Sequence, residues 1–346
     1  MRLERRTETP AAVLAAAPLA AIAFTLAVTS LLVAWAGAPV GKAYALLLEG
    51  GFGSRFALTE TLTRATPLIL TGLAAAVAFR ARLFNIGAEG QLYAGALAAV
   101  AVGTLDGPPL LLFPAMFLAA MVAGALLLLG PALLKSRLGV DEVVTTLLLN
   151  FIVLLGVSAL LDGPMKDPGA MGWPQSLALP DALQLGKLVE RSRVHTGLVA
   201  ALLLAALLWA LLKFSALGFE IRAVGANPRA ARFAGMPVGA TTVKVALLSG
   251  ALAGLAGAVE VAGRTAYVTL YMSPGYGYSG IVIAMLAMLN PLGVVAAAVF
   301  VAGILVGADS MSRAVGVPTY IADVIVAVSL IAMLVATMLA QYRVRR

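Results

Sequence analysis

The chain has 346 residues, of which 62% are hydrophobic and only 12% charged, and 24 Lys and Arg against 16 Asp and Glu leave a net charge of +8. Soluble domains carry about 25% charged residues, so this composition excludes a soluble enzyme, a disordered tail and a solenoid. The apolar runs are continuous rather than alternating, which excludes a β-barrel and leaves an all-α polytopic membrane protein, since lipid tolerates only backbone that satisfies its own polar groups.

A basic start, Met1 to Arg6, precedes the first apolar run at residues 11–36. A secretory signal has an apolar core of about 7–15 residues, so this longer run reads as an uncleaved first span with a cytoplasmic amino terminus. Further apolar segments lie at 65–80, 86–103, 110–133, 142–161, 196–214, 243–262, 279–289, 292–308 and 319–340. That makes about ten, and those at 65–80 and 279–289 look too short to cross alone, because a span needs roughly 20 residues. Alternating inward and outward, 15 of the 24 basic residues fall on the cytoplasmic side. Both termini then lie in the cytoplasm, as the positive-inside bias prefers. The positive charge is thus a topology signal and not a nucleic-acid footprint. The organisation expected is one transmembrane domain, 1–346: a first repeat at 65–161, an outer loop at 162–195, a cytoplasmic loop at 213–242 and a second repeat at 243–340.

The stretch Phe84-Asn-Ile-Gly-Ala-Glu-Gly-Gln91 interrupts two apolar runs. Gly87 and Gly90 allow a break or a close approach, while Asn85, Glu89 and Gln91 put polar groups where lipid is expected. Either Phe84, Asn85, Glu89 and Gln91 line a solute pathway in a discontinuous helix, or the segment is a tight turn. Asp141 and Glu142 sit at the amino end of the next span, where the helix dipole favours them. Asn150, about 12 Å further along, reaches either a hydroxyl-bearing solute or a neighbouring helix.

The cytoplasmic loop contains Gly218 to Gly235. Asn227 is a good N-cap, Pro228 suits the first helical position and Gly235 suits a left-handed stop, so a two-turn helix is predicted over residues 228–234. Arg229 and Arg232 share a face and Phe233 adds an apolar knob. Such a helix suits docking to a soluble partner; a lipid-surface helix is the alternative. In the following span Ser249, Gly250, Ala253, Gly254 and Gly257 form a small-residue stripe suited to close packing. A second break, Met272-Ser-Pro-Gly-Tyr-Gly-Tyr-Ser-Gly280, precedes a short helix ended by Asn290-Pro291. The two breaks lie in segments of opposite direction, the pattern of an inverted repeat with a midplane site. Tyr276 and Tyr278 offer rings to stack on a planar solute or act as interfacial anchors. His195 is expected to be solvated at the edge of the outer loop, and Glu260 and Arg264 to be paired or solvated. No catalytic, metal-binding or nucleotide-binding motif is present: there is no P-loop, nucleophile elbow or HExxH.

Together, Arg64 to Gly72, Phe84 to Gln91, Asp141 to Asn150, Gly163 to Pro168, Arg222 to Arg232, Ser273 to Gly277 and Asn290 to Gly293 resemble the permease subunits of bacterial nucleoside ABC importers, within the branched-chain amino acid and simple-sugar permease family. The resemblance runs from about residue 40 to the carboxyl terminus. It implies a type II importer fold with about ten spans in the bacterial cytoplasmic membrane. It also implies a second permease subunit, usually in a heterodimer, a cytoplasmic ABC ATPase that binds the ATP, and an extracytoplasmic nucleoside-binding lipoprotein received partly by the loop 162–195. On this resemblance Asn227, Pro228, Arg229, Arg232, Phe233 and Gly235 form the coupling helix for the ATPase. One departure is Ala287-Met-Leu-Asn-Pro291, where relatives commonly carry an Arg-Asn-Asn-Pro-like run, so a charge is missing. A simple-sugar permease is the alternative substrate reading, and an ion-coupled secondary transporter, with Glu89 as its one candidate coupling carboxylate, is the alternative class.

Overall fold

A computed structural model describes residues 2–5, 11–316 and 318–345. The chain forms two compact units, one of Met1–Thr61 with Phe300–Arg346 and one of Leu62–Val299.

In the first unit the chain begins with β1 (Arg2–Arg5), followed by α1 (Ala11–Trp35) and α2 (Val40–Phe52). α1 and α2 bend by 116° at the Gly37 turn. The helix α2 is absent from the sequence expectation, since Lys42, Glu49 and three glycines dilute its hydropathy. Its small face is what packs: added Cβ atoms at Gly50 and Gly51 would strike Ser310 and the Gly303 carbonyl. The unit closes with the end of α12 (Pro291–Val315), α13 (Ile321–Gln341), which lies along α1, and β2 (Tyr342–Arg345), antiparallel to β1. This terminal strand pair is the exception to an otherwise helical architecture.

The second unit holds most of α3 (Arg55–Arg80), then α4 (Ala88–Gly103), α5 (Pro109–Leu138), α6 (Glu142–Asp162), α7 (Gly197–Phe214), α8 (Ala216–Ala226), α9 (Pro228–Phe233), α10 (Val238–Glu260) and α11 (Tyr276–Leu286). Its centre is a three-helix layer of α4, α5 and α10. These helices approach so closely that a Cβ at Gly254 would lie 2.1 Å from the Ala120 carbonyl oxygen, and one at Gly257 1.9 Å from that of Leu92. The stripe predicted to pack closely does so, through backbone-to-backbone contact that larger side chains would forbid.

Among the described residues six helices are long and apolar enough to cross a membrane, or seven if α1 and α2 together count as one span. The count of ten is not confirmed: α4 has only 16 residues, and α11 has 11, as short as expected for the segment 279–289. The segment 65–80, expected to be too short, is corrected in the other direction. It is the inner part of the 26-residue α3, whose first turns carry Arg55, Glu60 and Arg64 and so escape a hydropathy reading.

α10 ends in a single π turn, Val261–Thr265, closed by Ala266 in the left-handed conformation. The loop 163–196 lies along this edge, with the amides of Ser176, Leu179 and Leu185 donating to the carbonyls of Val268, Ala266 and Ala262. His195 is fixed there too, and its solvated placement is overturned. It is 1% exposed, packed against Gly263 and Gly197, with no hydrogen-bond partner on either ring nitrogen. Burial pushes its pKa down to about 4. The folded state therefore binds fewer protons at this site than the unfolded state between about pH 6.5 and 4, so stability falls as pH drops through that window. In thermal melts across that range, His195→Phe should flatten the acid-side loss by up to about 3 kcal/mol. An unchanged slope would place the sensitivity elsewhere.

Candidate functional site

The break between α3 and α4 is held by side chains. Arg82 takes a left-handed conformation and the chain runs through Leu83 to Gly87 before α4 begins. Four backbone groups of this segment and the first turn of α4 meet partners on α6. The amide of Phe84 donates to Glu142 Oε1 at 3.1 Å and that of Ile86 to Thr146 Oγ1 at 3.1 Å. Asn150 then accepts from the Gly90 amide at 2.8 Å and donates to the Ile86 carbonyl at 2.8 Å. Glu142, Thr146 and Asn150 recur every four residues, so they form one stripe along α6. Asp141 caps that helix by accepting from the Val143 amide, and Lys135 at the end of α5 pairs with Glu142 and donates to the Arg82 carbonyl.

Inside the break, Asn85 is fully buried. Its amide group donates to Gln91 Oε1 at 2.9 Å and Ser249 Oγ at 3.2 Å, while its oxygen accepts from Gly87 N and Gln91 Nε2. Ser249 passes the chain on to the Ala74 carbonyl. Phe84 differs from the other predicted residues of this segment: it is 43% exposed and sits edge-on to Phe79.

The second break meets the first. α11 starts at Tyr276, earlier than the sequence suggests, so both tyrosines lie on its first turn. Gly277 abuts the start of α4 so tightly that a Cβ would lie 2.2 Å from the Glu89 amide nitrogen. The Gly277 amide donates to Glu89 Oε2 at 2.6 Å, and the same buried carboxyl group is bonded by Ser273 and the Gly275 backbone. The Glu89 side chain is thus seated on the amino terminus of α11. Thr71 of α3 donates to the Tyr276 carbonyl at 2.9 Å. Tyr276 is buried with its hydroxyl 3.1 Å from Arg264 Nη1, and Arg264 also donates to the buried Glu260 at 2.5 Å. No face of Tyr276 is open for stacking in this conformation. Tyr278, 38% exposed, receives a hydrogen bond from Asn150 at 3.1 Å and is the tyrosine with an accessible ring.

The structure thus brings Asn85, Glu89, Gln91, Asn150, Tyr276 and Tyr278 into one region in which the two breaks face each other. The void beside Gly87, Gln91 and Asn150 measures about 10 Å³, close to the minimum for a single water. Sequence reasoning gave Thr146 and Thr71 no role, and read Glu142 only as a helix-end carboxylate and Ser249 only as a packing residue; each bonds a backbone group distant in sequence. Only the four-residue spacing of Glu142, Thr146 and Asn150 signals a polar stripe.

The second candidate region is the connection from α7 to α10. Ser215 caps α8 through the Gly218 amide, and Glu220 of α8 accepts from the Thr241 hydroxyl at the start of α10. The predicted capping of the next helix is present: Asn227 Oδ1 accepts from the amides of Arg229 and Ala230 at 3.0 and 3.1 Å. Gly235 stops the helix at φ +80°, with the Met236 amide bonding back to the Ala231 carbonyl. Ala231 points inward, whereas Arg229 and Arg232 are exposed and Phe233 is 97% exposed.

Helices interrupted within an apolar layer, with the freed backbone satisfied by buried side chains, suit a membrane transport protein. The family model described as branched-chain amino acid transport system / permease component matches residues 57–334, and the chain belongs to this family. The chain is 39% identical over 317 residues to the guanosine ABC transporter permease protein NupP of Bacillus subtilis, covering 90% of each chain. It is 38% identical to the glucose ABC transporter permease protein TsgB13 of Haloferax volcanii, covering 99% of this chain and 93% of that one. With the nucleoside ABC transporter permease protein NupB of Lactococcus lactis subsp. cremoris it shares 32% identity, over 90% and 88%.

Asn150→Leu leaves the Gly90 amide and the Ile86 carbonyl without partners, at about 1–3 kcal/mol for each orphaned group. Tyr278→Phe removes one bond at a partly exposed site and should cost less. Thermal unfolding of the purified variants should rank them in that order, and equal midpoints would show that Asn150 does not hold the break.

Proposed function

We propose that this chain is the membrane-spanning permease subunit of an ATP-driven importer of nucleosides in the bacterial cytoplasmic membrane. The observation that carries the reading is the 39% identity, along nine tenths of both chains, to a permease named for guanosine, joined by the similarity to a nucleoside permease. The near-equal identity to a glucose permease favours a simple sugar as the second reading. Uptake of labelled purine and pyrimidine nucleosides by cells with and without the chain separates them, with excess ribose or glucose as competitor and an ATP-depleted arm. Chain-dependent and ATP-dependent nucleoside entry that sugar does not block is the expected result. Entry of labelled sugar alone would move the substrate assignment to the second reading.

In this reading two permease subunits pair, a binding lipoprotein delivers substrate to the loop 162–195, and both termini are cytoplasmic. The pairing of β1 with β2 supports one side for both termini, and the excess of basic residues supports the cytoplasmic side. The pathway runs past Phe84 and Tyr278, with Asn85, Glu89, Gln91 and Asn150 setting the position of the two breaks. The self-capped α9 is the ATPase-docking element: its rigidity comes from Asn227 and Gly235, and its exposed Phe233 and arginines form a knob with charge around it. Arg232→Glu combined with Phe233→Ala should abolish substrate-stimulated ATP hydrolysis in the assembled complex while leaving membrane insertion intact. Unchanged stimulation would remove the docking role from α9.

A further inference from the structure

Away from both breaks, a cleft of about 290 Å³ is lined by Arg80, Trp209, Lys213, Arg222, Asn290 and Pro291. Its three cations come from three elements. Arg80 ends α3 and Lys213 lies in the last turn of α7. Arg222 is brought beside Arg80 by Gly225, one turn further along α8, because the absent Cβ lets α8 rest on the Arg80 carbonyl; an added Cβ would lie 1.9 Å from that oxygen. The two guanidiniums repel each other. Among the described residues none of the three cations has an ion-pair or side-chain hydrogen-bond partner. Lys213 is instead held over the rings of Trp209 and Phe214, at 4.9 and 5.2 Å.

Single basic residues at helix carboxyl ends are explained by the helix dipole. That explanation does not extend to Arg222, which lies mid-way in α8, nor to the convergence of three like charges on one concavity. The remaining wall adds more positive potential, since Asn290 and Pro291 open the 25-residue α12 and Asn290 caps it through the Leu292 amide. A concave site with three unpaired cations and a helix amino terminus is complementary to an oxyanion bearing more than one acceptor oxygen.

We propose that this cleft binds a phosphate oxyanion at the end of the helical layer, carried by an anionic lipid headgroup or by free phosphate. The lipid source is favoured by what lies next to it. Trp209 is an interfacial type of side chain, and Leu202, 42% exposed and seven residues before it on the same face of α7, continues that face as an apolar track for an acyl chain. Basic pockets between spanning helices take such headgroups. This inference does not depend on which solute is transported.

The test is native mass spectrometry of the detergent-purified full chain titrated with phosphatidylglycerol, phosphatidylcholine or inorganic phosphate. Lys213→Gln with Arg222→Gln is compared with Lys166→Gln with Lys187→Gln, which removes the same charge from the loop 163–196. The first pair should weaken phosphatidylglycerol binding by roughly tenfold or more, with phosphatidylcholine unaffected and the second pair near wild type. Competition by inorganic phosphate, lost in the same variant, would assign the site to free phosphate. Should the variant misfold by melting or gel filtration, Arg222→Gln alone, at an exposed position, gives the same comparison. Equal losses in both pairs, or no loss of phosphatidylglycerol or phosphate binding in the first, would overturn the proposal.

Discussion

The second unit depends on one constraint: backbone polar groups freed by a helix break have no water to turn to inside an apolar layer. The amides of Phe84, Ile86 and Gly90 and the carbonyl of Ile86 lie outside any helical ladder, and α6 supplies their partners from Glu142, Thr146 and Asn150. The asparagine is suited to its place because its side-chain amide donates and accepts at once, answering a carbonyl and an amide with one residue. Asn85 does the same within the break, and with Gln91 and Ser249 it ties α4 to α10 and α3.

Close packing makes those bonds possible. Backbone contact at Gly254 and Gly257 sets α10 against α5 and α4, and the absence of a Cβ at Gly277 allows α11 to approach α4 until its first turn meets Glu89. The two breaks then share a hydrogen bond between the Glu89 side chain and the amino terminus of α11. Relative movement of α11 and α4 must exchange that bond for another, so the same contact that stabilises this arrangement limits the ways in which it can change.

The exposed α9 follows the opposite logic. Its two caps are local, supplied by Asn227 and Gly235, and only Ala231 is buried. A helix of six residues is not stable by propagation alone; end capping and the flanking α8 and α10 fix it. Its outward surface of Arg229, Arg232 and Phe233 is therefore free of any structural duty within the chain.

Composition and apolar run length determined a polytopic helical protein, because both depend only on the solvent. The caps at Asn227 and Gly235 and the small-residue stripe of α10 were also legible, because each acts over a few residues or on one helix face. The length of α3 was not, because its charged first turns hide a helix that packing completes, and α2 was hidden by its glycines. His195 reads as a polar residue beside a loop, yet it is buried where that loop covers the π turn. The identity of the polar residues around the two breaks was visible in sequence; their partners were decided by tertiary structure alone, since a hydrogen bond from Asn150 to Gly90 or from Gly277 to Glu89 joins groups that only the packing of separate helices brings within reach.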